Sequence, residues 1–80
     1  MNHDSIWMAI EHFAADHHMS CSRLARFSGL NATTFNKSKR WSAFGQPRYP
    51  NMYSIAKILS STNTSISDFA KYINDSNKEE

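Results

Sequence analysis

The chain has 80 residues, room for one small core, and 40% of them are apolar against 20% charged, the balance of an ordinary globular domain rather than a disordered or fibrous chain. No run approaches the roughly 20 apolar residues of a membrane helix, no basic-then-apolar leader opens the sequence, and the lone Cys21 excludes an internal disulfide and a multi-cysteine zinc site. These features predict an intracellular, cytoplasmic protein without a membrane partner. The net charge of +2 hides an asymmetry: all seven acids lie outside residues 17–67, whereas seven of the nine bases lie inside, leaving a +7 centre and ends that sum to −5. A basic centre between acidic ends is the footprint of a surface that faces a polyanion.

Five helices are predicted in chain order. The first runs from about Ser5 to His17, capped by Asp4, with Ile6, Ile10, Phe13 and Ala14 at helical spacing and Trp7 widening the stripe. The second runs from Cys21 to Phe27 or Ser28, with Ser20 as N-cap, Leu24 and Ala25 inward, and Gly29 supplying a left-handed stop. The third follows Asn31, from Ala32 to Lys37 or Ser38, with Phe35 its one large apolar residue. Residues 39–50 contain both prolines of the chain and read as a loop. Asn51 caps a fourth helix carrying Met52, Ile55, Ile58 and Leu59, and Ser65 with Asp68 caps a fifth carrying Ile66, Phe69, Ala70 and Ile73. No alternating strand pattern, repeat or internal linker appears. The expectation is an all-α domain over residues 1–74 and a polar, frayed tail over 75–80.

The informative stretch is Cys21 to Lys37. Two short helices joined by a tight turn need a small residue where they cross, a glycine in the turn and apolar residues in the wedge. Counting Cys21 as the first position, Ala25 stands at five, Gly29 at nine and Phe35 at fifteen, with Leu24 and Leu30 beside them.

These residues resemble the lambda-repressor-like helix-turn-helix family, and the resemblance spans Ile6 to Ile73. Met19-Ser20 matches the usual approach to the second helix, Pro50 with Ile55, Ile58 and Leu59 matches the fourth, and Thr64-Ser65-Ile66 the start of the fifth. More narrowly, Thr34 to Arg40, Gly45 to Pro50 and Ser54 to Lys57 look like the N-terminal domain of phage-type repressors whose C-terminal half is a LexA-like serine peptidase. Two positions depart from the family: Ser38 stands where an aliphatic residue is usual, and Cys21 where glutamine often braces the DNA backbone. The peptidase half has no counterpart in these residues, so no self-cleavage chemistry is assigned.

The resemblance implies a sequence-specific repressor domain whose third helix lies in the major groove of operator DNA, which is wide enough to admit a helix. With Phe35 inward, Ala32, Thr33, Asn36 and Lys37 face bases, with Thr34 at the edge. Thr33 suits a thymine methyl, Asn36 adenine and Lys37 guanine. Lys39, Arg40 and Arg48 have the charge and reach for phosphates, and Ser22 adds a phosphate contact at the start of the second helix. One short helix binds weakly alone, so a homodimer on half-sites one DNA turn apart is expected. The fifth helix, through Tyr72 and Ile73, or a C-terminal domain would supply the dimer contact.

Other signals are weaker. Trp41, Phe44 and Tyr49 interleave with bases, which suits a cluster stiffening the loop better than a stacking surface for single strands. His12, Asp16, His17, His18 and Cys21 have the composition of a metal site but poor spacing, and the default is a solvated helix end. No phosphate loop, carboxylate pair or nucleophile arrangement is visible, so no enzyme, cofactor, metal or small-molecule substrate is expected. The rival is a helical protein-interaction module, antitoxin-like or adaptor, on the same fold. Such a module needs no basic rim, and here Lys37, Lys39, Arg40 and Arg48 form one.

Overall fold

Side-chain caps decide where the helices begin. The structure, a computed structural model, describes residues 2–78 and the side chains of residues 2–74. In α1 (His3–Asp16) the cap is Asn2, not Asp4: its side chain accepts from the Ser5 amide at 2.8 Å, and the Ser5 hydroxyl accepts from the Asn2 amide at 3.0 Å. The helix therefore starts two residues earlier than Asp4 would allow, leaving Asp4 in the first turn against the positive dipole end. Ser20 caps α2 (Cys21–Phe27) and Asn51 caps α3 (Met52–Ser61), as their positions predict. The Ser65 hydroxyl accepts from the Asp68 amide at 3.1 Å and caps α4 (Ile66–Lys78). Helix α4 thus continues through much of the expected frayed tail, and residues 79 and 80 lie outside the described residues.

Left-handed residues decide where three helices end. His18 (φ 60°), Gly29 (φ 79°) and Asn63 (φ 53°) follow the last residues of α1, α2 and α3. In each case the next amide reaches back five residues: Met19 to the Ala14 carbonyl, Leu30 to Ala25 and Thr64 to Leu59, at 2.8–2.9 Å. This is the Schellman arrangement, and only Gly29 adopts it without a side-chain penalty. Removing the strained side chain in His18→Gly is expected to raise stability by about 0.5–1 kcal/mol, read as a higher urea midpoint.

The predicted third helix does not form, so the described residues hold four α-helices rather than five. Residues 32–35 make one turn, Asn36 is extended (φ −64°, ψ 153°), and a 3-10 turn follows at Lys37–Lys39. The cause lies in two threonines. The Thr33 hydroxyl donates to the Asn31 side chain at 2.8 Å, and the Thr34 hydroxyl to the Asn31 carbonyl at 2.6 Å. The Asn31 oxygens are thereby engaged in local side-chain bonds, a known competitor of helix propagation in β-branched, hydroxyl-bearing segments.

The core joins the helices around α1, which packs most extensively on α4 and also against α2, while α2 meets α3. Phe13 is 1% exposed and meets Phe69 and Tyr72 edge-on at 5.4 and 5.5 Å. Ala25 is fully buried, as the crossing requires, with Leu24 and Phe35 beside it in the core. Tyr72 and Ile73 pack against this core, and the Tyr72 hydroxyl donates to Asp16 at 2.6 Å. Both residues keep part of their surface exposed. Met52 and Ile66, at helical spacing with their core neighbours, are exposed.

Candidate nucleic-acid interface

The chain from Asn31 to Lys39 is held at its middle by Phe35, buried to 1% exposure, and everything around that anchor turns outward. Thr33, Asn36, Lys37, Ser38 and Lys39 are exposed, with Ala32 and Thr34 partly so. The structure therefore gathers the expected base-reading residues Ala32, Thr33, Thr34, Asn36 and Lys37 on one outward segment, but on a turn and a 3-10 turn rather than on a helix. Asn36 and Lys37 border a cleft shared with Ser20 and Cys21 at the start of α2. Thr34 borders a second cleft with Lys39, Arg48 and Tyr49. Ser22, in the first turn of α2, is partly buried.

After the 3-10 turn the chain folds back on itself. Trp41 and Pro47 form an antiparallel bridge, flanked by bonds from the Ser42 amide to the Gln46 carbonyl and from the Arg48 amide to the Arg40 carbonyl, both 2.8 Å. The Ser42 hydroxyl accepts from the Phe44 and Gln46 amides at 3.2 and 3.0 Å, and Gly45 takes the left-handed conformation (φ 79°) that closes the turn. The expected loop is thus a small hairpin with internal order.

Helix α1 clamps both arms of this hairpin. His3 Nε2 is 2.7 Å from the Arg40 carbonyl oxygen, and Trp7 Nε1 donates to the Arg48 carbonyl at 2.9 Å. The His3 ring lies 4.5 Å from Trp41 and 5.4 Å from Tyr49. Trp41 and Tyr49 therefore belong to a stiffening cluster, as expected, whereas Phe44 stands outside it, 92% exposed at the hairpin tip. Nothing local in the sequence pairs His3 or Trp7 with residues some forty positions away.

The four expected phosphate ligands separate. Lys39 and Arg48 are exposed and available. Arg40 is not: its guanidinium meets Glu11 at 2.7 Å and lies 5.1 Å from the Trp7 ring, with the side chain only 15% exposed. This geometry sets Arg40 apart from the other expected phosphate ligands, because its charge is met by an acid of α1. Sequence reasoning missed Glu11 as that partner, since it falls outside the acid-free window.

Two remaining groups are chemically quiet. Burial pushes the Cys21 thiol above its ordinary pKa, Glu11 adds to the rise and Arg40 opposes it, so the sulfur stays protonated. Among the described residues no group of three His, Cys, Asp or Glu side chains converges as a metal site would require. No described helix is long and apolar enough to cross a membrane.

A family model described as the Cro/C1-type HTH DNA-binding domain matches residues 9–75. Comparison with curated proteins and with solved structures gave no match. The matched span takes in α2, the Gly29 turn, the outward segment, the hairpin and α3, the parts that present Lys37, Lys39 and Arg48. The chain belongs to the Cro/C1-type helix-turn-helix DNA-binding domain family, and with its all-helical fold it is a DNA-binding domain of the kind used in transcription regulation.

Proposed function

We propose that this chain is the operator-reading domain of a phage-type transcriptional repressor, of the kind joined to a LexA-like peptidase half. It binds double-stranded DNA sequence-specifically in the cytoplasm, as a homodimer, and acts by binding rather than by catalysis. The observation that carries this reading is the outward segment: Thr33, Asn36, Lys37 and Lys39 are all exposed on nine consecutive residues, 31–39, that contain no acid. The family match supports DNA as the partner, and the +7 balance of residues 17–67 supports a polyanion.

In this reading the turn and 3-10 turn, not a regular helix, enter the major groove. Lys37 donates to guanine and Asn36 pairs with adenine, side chains whose donors and acceptors fit those base edges. The Thr33 hydroxyl already donates to Asn31, so its methyl is the part left for a thymine. Thr34 and Ala32 lie at the margin of the contact. Lys39, Arg48 and Ser22 hold phosphates, which fix position without carrying sequence information. A single short element reads few bases, so two copies share a two-fold site with half-sites one turn apart.

The test begins by selecting duplexes from a randomised pool with the chain itself, then measuring anisotropy on the selected and a scrambled duplex across salt. A preferred, two-fold symmetric sequence with a steep negative salt slope is the expected result. Lys37→Ala is expected to cost about 1–3 kcal/mol on the selected duplex and little on the scrambled one. Arg48→Ala is expected to weaken both alike and to lower the salt slope by about one unit. Equal losses on both duplexes for Lys37→Ala remove it from the bases. No binding to any duplex at low salt favours the protein-interaction module instead.

A further inference from the structure

Phe44 is the most exposed large apolar side chain described, and the hairpin under it is held by its own hydrogen bonds. Four hydrogen bonds within residues 42–46 and the Trp41–Pro47 bridge hold the turn. His3 and Trp7 fasten its base to α1. A flexible loop would let an aromatic ring collapse onto the nearest apolar surface; this one holds it away. A Cβ on Gly45 would meet nothing within 4 Å, so the tip is set in open space and the glycine serves the turn alone.

The chemistry around the hairpin is one-sided. Lys39 stands just before its first arm and Arg48 just after the bridge, bordering one cleft with Thr34 of the outward segment. Both are exposed, and the one arginine of the hairpin base that meets an acid, Arg40, is already neutralised by Glu11. Net positive charge therefore stands at the base of the hairpin that carries the ring. A second copy of this chain, bringing its own Lys39 and Arg48, would meet like charge here, and an apolar protein face would leave the two cations unpaired. A duplex offers both complements at once: phosphates for the cations and, between two phosphate rows, apolar base surface for the ring.

We propose that the 41–47 hairpin is a second DNA-contacting element, in which Phe44 at the tip lies against bases while Lys39 and Arg48 at the base hold phosphates. This inference rests on the DNA-binding reading above and assigns it a residue that carries no charge. The ring contributes by leaving water rather than by releasing counterions, so its effect is independent of salt.

The experiment compares the whole chain with Phe44→Ala and Phe44→Leu on the duplex selected by the wild-type chain, across salt. Phe44 makes no core contact, so both variants are expected to melt like the wild type. The expected result is a loss of about ten- to a hundred-fold for Phe44→Ala, with an unchanged salt slope and partial recovery in Phe44→Leu. Placing the fluorescent base 2-aminopurine along the selected duplex is expected to show one position whose emission change vanishes in Phe44→Ala. Wild-type affinity in Phe44→Ala overturns the inference while leaving the DNA-binding reading intact. It is also overturned if Phe44→Ala lowers the self-association of the free chain in sedimentation and binds DNA as well as the wild type once dimeric. Failure of the wild-type chain to bind any duplex overturns both readings together.

Discussion

Replacing Phe13 with alanine is expected to bring the domain to the edge of unfolding at room temperature. The ring is 1% exposed and sits where α1 meets α4, edge-on to Phe69 and Tyr72 and in contact with the His17 ring at 4.5 Å. Truncating a buried phenylalanine costs about 3–5 kcal/mol, because the cavity left behind closes only in part. A chain of 80 residues has about 4–12 kcal/mol in total at typical values per residue. The α1–α4 contact is the largest between helices of the fold, so weakening it loosens the main attachment of α4. Urea unfolding followed by far-ultraviolet circular dichroism checks this. The expected result is a much lower midpoint with an unchanged slope, and Phe13→Leu, which keeps most of the volume, is expected to cost about 1.5 kcal/mol. A midpoint within a few tenths molar of the wild type would show that α4 is not anchored through this ring.

Arg40→Ala is expected to lower the melting temperature by roughly 5–15 °C while leaving the salt dependence of DNA binding unchanged. Three contributions are removed together. The pair with Glu11 is modest, because the Glu11 side chain is 41% exposed and water screens it. The guanidinium over Trp7 and the packing of its apolar stem add more, giving about 1–3 kcal/mol in all. Arg40→Lys is expected to recover only part of the loss, since an ammonium has neither the planar fork nor the stacking face. The pairing of this variant with Arg48→Ala separates two roles that the sequence treats alike. One arginine changes the melt and not the slope, the other the slope and not the melt. A normal melt for Arg40→Ala with a slope reduced by about one unit would return Arg40 to the phosphates.

That pair of arginines shows where sequence reasoning stops. Local chemistry was legible: Ser20, Asn51 and Ser65 cap the helices their positions predict, and Gly29 takes the left-handed turn. These depend on bonds spanning two to four residues, which a linear pattern displays. The α1 start is off by two because both Asn2 and Asp4 can cap, and only the reciprocal bond with Ser5 decides between them. The missing third helix turns on the same kind of competition, since Asn31, Thr33 and Thr34 suit a helix start and a local hydroxyl network equally well. The fate of Arg40 and the seating of the 41–47 hairpin rest instead on contacts with α1 across some thirty to forty residues. No spacing rule reaches that far. For the interface, the residue types and their segment were legible, whereas the split between bound and available cations, and the isolation of Phe44 from Trp41 and Tyr49, were not.

The clamp on the hairpin also gives this molecule a built-in optical reporter. Both of its tryptophans stand at that junction: Trp7 is buried under Arg40 with its indole nitrogen bonded to the Arg48 carbonyl, and Trp41 lies tilted against the His3 ring. No tryptophan lies in α2, α3 or α4. Intrinsic emission therefore reports the seating of the hairpin on α1 through Trp41, and the core beneath it through Trp7, which is 2% exposed. A titration monitored this way records when the hairpin shifts or lets go, while circular dichroism records the helices, and a gap between the two transitions would measure how far the loop can loosen before the core does.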